Sequence, residues 1–122
     1  MDINEELFNL SADHLIRQGC KAENYEESCF YHCHSTGRKC AIGVLIHSEF
    51  YNPEFEGNPI EDKILNAIAL SNCVDPNDIN VKMLAALQAI HDDETPDNWG
   101  LYLENKAKEL GFNWTPPELS AS

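Results

Sequence analysis

The sequence predicts a mainly α-helical fold, a compact bundle of four to five helices with one short β-hairpin inserted after the first helix. Three observations carry this. Apolar residues recur at three- and four-residue spacing in several stretches bounded by helix start and stop residues. A chain of 122 residues, 43% hydrophobic and 24% charged, is sized for a single core. The one β-prone run, "CFYHCH", leads directly into the turn sequence "STGRK".

The elements follow in order. Asp2 can cap a first helix with Glu5 reaching back, placing Ile3, Leu7, Leu10 and His14 on one face with Phe8 and Leu15 beside them, and Gly19 ends it. "CKAENYEE" has no apolar stripe and reads as an exposed connection. From Ser28 to Ser48 there is no acid, and Arg38 and Lys39 carry the only formal charges. Within it, "KCAIGVLIH" reads either as the hairpin's return strand or as the first turns of a buried helix, and periodicity does not arbitrate over so short an apolar run. Ala41 and Gly43 are poor strand residues, so a helix starting near Lys39 is expected, with Gly43 admitting another helix closely. "SEFYNPEFEGN" reads as an acid-rich loop held by Phe50, Tyr51 and Phe55.

Asn58, Pro59 and Glu61 then start a helix that buries Ile60, Ile64, Leu65, Ile68 and Ala69. A helix from about Asn80 to His91 buries Val81, Leu84, Leu87 and either Ile90 or His91. The last helix has Thr95 as cap, Pro96 in its first turn, a stripe of Trp99, Leu103, Ala107 and Leu110, and Gly111 as its stop. Residues 1–112 read as one helical domain and 113–122 as a C-terminal tail, which Trp114 can tack onto the body. No internal repeat marks a second domain.

The charge balance restricts function. Twenty-one acids against 8 bases leave a net charge of -13, which disfavours direct binding to nucleic acid or to an anionic membrane and fits a protein partner with a basic surface. The same charge also serves solubility without any partner. No apolar run approaches the roughly 18 residues of a membrane span, and "MDINEELFNL" lacks the features of a signal peptide. A cytoplasmic protein is expected. Its five cysteines then point to ligation, reactivity or burial rather than a disulfide framework.

Three separated pieces, "GRKCAIGVLI", "YNPEFEG" and "LQAIHDDETPDNWGLYLENKAKELG", resemble a family of small uncharacterised proteins found largely in phages and prophages. The shared outline is a Gly-x-Lys-Cys-Ala-x-Gly-x-Leu-Ile core, a Tyr-x-Pro-x-x-Glu-Gly loop, and a His-Asp pair before a final helix containing Pro and Trp. Here these are residues 37–46, residues 51–57, and His91, Asp92, Pro96 and Trp99. The resemblance implies a phage accessory protein aimed at a host component, and brings no established activity. His32 and His34 lie outside that outline.

Several chemistries compete for the polar residues. Cys29, His32, Cys33, His34 and Cys40 are ligand types that zinc prefers. Their spacing is unlike a zinc knuckle, and on a strand Cys29 and Cys33 diverge from His32 and His34. A zinc-stabilised interaction module is therefore an alternative reading; otherwise no cofactor is expected, and Cys40 serves as a small buried hydrophobe. As a nucleophile, Cys40 would need its pKa lowered by Lys39, a histidine or a helix N-terminus. "IHDDE" is compatible with the adjacent His91 and Asp92 of a helical phosphohydrolase, with His47 and Asp97 as further ligands, although Asp97 follows too closely for a separate helix. Otherwise His91 sits favourably near a helix C-terminus.

Two binding readings remain. Gly37, Arg38 and Lys39 at the hairpin can clasp a phosphate, which would make the protein a sponge for a nucleotide-type small molecule. Glu49, Glu54, Glu56, Glu61 and Asp62 form one acidic run, and Asp92, Asp93, Glu94 and Asp97 another. If folding joins these runs, their carboxylates can imitate nucleic-acid phosphates and occupy the basic groove of a host protein. The expectation is accordingly a non-catalytic, phage-type accessory protein that modulates a host protein through an acidic face. The sequence carries no signal for oligomeric state.

Overall fold

The computed structural model describes residues 3–19, 31–33, 38–56, 60 and 62–116. The fold is mainly helical: α1 (Ile3–Gln18), β1 (His32–Cys33), β2 (Arg38–Lys39), α2 (Asp62–Asn72), α3 (Val81–Asp93) and α4 (Pro96–Leu110). Short 3-10 turns occupy Gly43–Leu45, Pro53–Phe55 and Pro76–Asp78. β1 and β2 pair antiparallel, His32 opposite Lys39 and Cys33 opposite Arg38, as the base of the expected hairpin. The turn expected between them, the Asp2 cap, the Asn58 and Pro59 helix start and the stretch 20–30 lie outside the described residues.

α1 is the central element, packing on α3, on α4 and on the turn at Gly43–Leu45. Gly19 stops it at φ +67, where its N–H reaches Leu15 O at 2.9 Å, a left-handed geometry that suits glycine. The buried face is Leu7, Phe8, Ser11, Ala12 and Leu15. This corrects the stripe expected through Leu10, which is 46% exposed. The reason is Ser11, whose hydroxyl donates to Ala41 O at 2.7 Å inside the core and so turns that face inward.

The helix expected from Lys39 is a correction of larger scope. Lys39 belongs to β2, Cys40 donates its N–H to Tyr31 O at 3.1 Å, and only then does the chain tighten into the turn at Gly43–Leu45. Ile46 is already extended, with φ -109 and ψ 121. Gly43 does admit a close neighbour, though it is the hairpin backbone and not a helix. A Cβ there would lie 1.8 Å from Tyr31 O.

α2 buries Ile64, Ala67, Ile68 and Ala69, with Ile60 and Leu65 half-buried. Its far end turns through Cys73 at φ 57. Asn80 caps α3 by accepting from Met83 N at 3.1 Å. Ile90 and His91 are both buried, whereas Val81 is 42% exposed in the first turn. α4 follows its expected bounds, with Pro96 in the first turn and Gly111 in left-handed geometry at φ 79. Trp99, Leu103 and Ala107 are fully buried. Beyond α4, Phe112 and Trp114 make edge contacts with Phe8, at centroid distances of 5.7 and 6.0 Å. Trp114 Nε1 also donates to Asp13 Oδ1 at 2.8 Å, so the ring's polar edge is satisfied as it is buried.

Two glycines give opposite expectations. Gly43→Ala drives a methyl into backbone and should cost about 3 kcal/mol. Gly100→Ala, in the interior of α4, meets only ordinary contacts at 3.6 Å or more and should add roughly 0.5–1 kcal/mol through helix propensity. Urea denaturation midpoints of the two variants should therefore move in opposite directions from the parent.

Candidate functional site

Ser11, His14 and Gln18 form a polar stripe on α1 at helical spacing, and all three meet the chain just after the hairpin turn. The Gln18 amide acts as a strand neighbour for Lys39. Its Oε1 accepts from Lys39 N at 3.0 Å and its Nε2 donates to Lys39 O at 2.9 Å. His14 Nε2 lies 2.9 Å from the same carbonyl, which can only accept, so that nitrogen carries the proton. Burial, the largest influence, lowers the His14 pKa below its usual 6.5, and the nearby charge of Lys39 acts in the same direction.

Cys40 sits directly beneath. It is fully buried, and its Sγ accepts from Gly43 N at 3.3 Å. Burial pushes its pKa up to about 12, and the carboxylates of Asp92 and Glu56 act in the same direction. The thiol is thus protonated near neutrality, the reverse of what a nucleophile requires.

The acidic residues divide into two kinds. Glu56 is half-buried and works as an internal acceptor: Oε1 takes the Tyr31 N–H at 2.7 Å, and Oε2 takes the Tyr51 hydroxyl. Burial and this carboxylate raise the Tyr51 pKa, keeping the phenol protonated. Asp92 behaves likewise, with Oδ1 within 2.7 Å of His91 Nδ1 and accepting from Gln88 Nε2 at 2.9 Å. Glu94 is half-buried at the end of α3. By contrast, Glu49, Glu54, Asp62, Asp93 and Asp97 are exposed, and Glu61 lies outside the described residues. Folding therefore brings one member of each run, Glu56 and Asp92, within electrostatic reach of Cys40 and leaves the exposed members to solvent.

His91 is wholly enclosed and stacks on Trp99 at 5.5 Å and 25°. Trp99 Nε1 is satisfied by Glu94 O at 3.1 Å. His47 and Asp97 are exposed, and among the described residues no group of three or more His, Cys, Asp or Glu side chains is placed to hold a metal ion. Of the zinc ligand types, Cys29 and His34 lie outside the described residues, as do the side chains of His32 and Cys33. Arg38 is exposed and Lys39 half-buried, with Gly37 outside the described residues.

An open depression of about 550 Å³ lies beside β2, lined by Leu10, Asp13, His14, Arg17, Gln18 and Val44. Neither it nor the α1 polar stripe was expected from the sequence. The signal was present in the spacing of Ser11, His14 and Gln18, but apolar periodicity passes over polar residues. Among the described residues, no helix is long and apolar enough to cross a membrane. Comparison with protein-family models, with curated proteins and with solved structures finds no match to this chain.

Two measurements check this geometry. Alkylation of the native protein followed by peptide mapping should label exposed Cys73 rapidly and leave buried Cys40 unmodified until the chain is unfolded. The lowered His14 pKa means that the unfolded chain binds a proton first as pH falls below 6.5. Its contribution to stability should therefore be present above that value and decline below it. Comparing urea midpoints at pH 7.5 and 5.5 for parent and His14→Gln isolates this loss from the general effect of neutralising acids; the variant should lose less on acidification.

Proposed function

We propose that this protein is a non-catalytic, phage-type accessory protein that acts in the host cytoplasm, where it binds a basic surface of a host protein and modulates it as a nucleic-acid mimic. The observation that carries this reading is the division of the acids. Interior carboxylates are committed to fixed hydrogen bonds, while Glu49, Glu54, Asp62, Asp93 and Asp97 stand exposed on a body of net charge -13. Two lysines, Lys106 and Lys108, pair with Glu109 and Glu104 of their own helix.

The interior chemistry supports a binding role. Cys40, Tyr51, Glu56, His91 and Trp99 belong to the pieces that resemble phage and prophage proteins, and each is engaged in packing or internal hydrogen bonds. On this reading those residues maintain the fold, and the surface carries the function. Exposed carboxylates in a negative field speed and orient encounter with a basic groove more than they tighten the final complex.

The test is capture from a bacterial lysate, with the partner identified by mass spectrometry. The parent should retain a basic protein at low ionic strength and release it near 1 M salt, where the screening length falls to about 3 Å. Duplex DNA should compete for the same partner. A variant carrying Glu49→Gln, Glu54→Gln, Asp62→Asn, Asp93→Asn and Asp97→Asn should fold normally and lose at least about tenfold in affinity. Capture that ignores salt, or that survives these five substitutions, would refute an acidic-face mechanism.

A further inference from the structure

The depression on α1 differs in chemistry from the acidic surface and points to a separate ligand. Its position is set by the pairing of α1 with β2. His14 and Gln18, which line it, are both bonded to the backbone of Lys39. The strand carrying Arg38 and Lys39 therefore runs beside it, while Arg17, exposed in the last turn of α1, lines it directly. Arg17 is the cationic side chain of that lining.

Asp13, the one acid in the lining, has a carboxylate oxygen engaged by the Trp114 indole at 2.8 Å. Leu10, 46% exposed, and half-buried Val44 supply an apolar wall. A volume of about 550 Å³ lies within the range of roughly 300–1,000 Å³ typical of small-molecule sites.

We infer that this depression binds a phosphate-bearing small molecule of mononucleotide size, with its anion on Arg17 and its apolar body against Leu10 and Val44. An arginine fork suits a phosphate because it offers two parallel charge-assisted donors. The site is independent of the acidic face, so either assignment can stand without the other.

Adenosine 5′-monophosphate, adenosine and inorganic phosphate, titrated separately into the full chain, distinguish the two halves of such a ligand. Backbone amide NMR should show the monophosphate shifting Leu10, Arg17 and Val44, with weaker binding by either fragment. Arg17→Ala should weaken the monophosphate at least about tenfold, and Arg17→Lys should recover part of that loss. Arg17 is exposed, so unchanged far-UV circular dichroism will confirm that the variants fold. Absence of shifts at these residues, or monophosphate binding that Arg17→Ala leaves intact, overturns the site. Equal binding of inorganic phosphate overturns the apolar half of the assignment.

Discussion

The structure depends on how the backbone at residues 38–41 is paired on both sides. On one side it joins β1 and Tyr31; on the other it meets side chains of a helix instead of a strand. A two-residue ladder cannot hold itself in water. Ser11, His14 and Gln18 satisfy Lys39 and Ala41 where another strand would otherwise be required, and each buried polar group left unpaired would cost about 1–3 kcal/mol. Because α1 also packs on α3 and α4, the same helix ties the hairpin base to the rest of the core. Gly43 completes the arrangement by letting the following turn lie against the Tyr31 carbonyl.

This pairing governs the fate of the reactive side chains. Cys40 follows Lys39 directly in the chain and is fully buried, and Glu56 reaches the amide of Tyr31 on the hairpin's other arm. Asp92 orients His91, which is flattened against Trp99. In each case a titratable group is fixed by a neighbour that the fold requires for another reason. Hydrogen-bonded polar groups inside a core favour one packing over its competitors. Cys40, Glu56, His91 and Asp92 thus have a structural explanation, whereas His47, Cys73 and the exposed acids do not share it.

α4 was legible because its signals are local: Pro96 at the start, Gly111 at the stop and an unbroken stripe between them. On α3, Leu84, Leu87 and the end at Ile90 and His91 were legible in the same way, whereas Val81, expected inside, is exposed and Met83, not expected, is buried. α1 was identified as a helix, but its inward face was misplaced, since Ser11 enters the core through a bond to Ala41, thirty positions away. At Lys39 the preference for a helix over a return strand was the wrong choice: the strand ends at Lys39, held by the Gln18 clamp, and Ala41 and Gly43, poor strand residues, lie beyond it in turns. The acidic runs show the limit of reading charge from sequence: Glu54 and Glu56 are near neighbours, yet one is exposed and the other is committed to Tyr31 and Tyr51. Adjacency in sequence does not determine which carboxylate meets a donor.

The two proposed surfaces also place opposite demands on ionic strength. A body of net charge -13 attracts a basic protein over distances beyond the contact itself, and this attraction weakens as salt is added. A small anion approaching Arg17 experiences the same field as repulsion. At physiological salt, with a screening length of about 8 Å, the distant acids fade while a cation in contact with the ligand retains most of its effect. Moderate salt therefore favours the concave site relative to the acidic face. The asymmetry follows from where the charges stand: acids distributed over the exposed surface act at long range, and Arg17, in the lining of the depression, acts at short range.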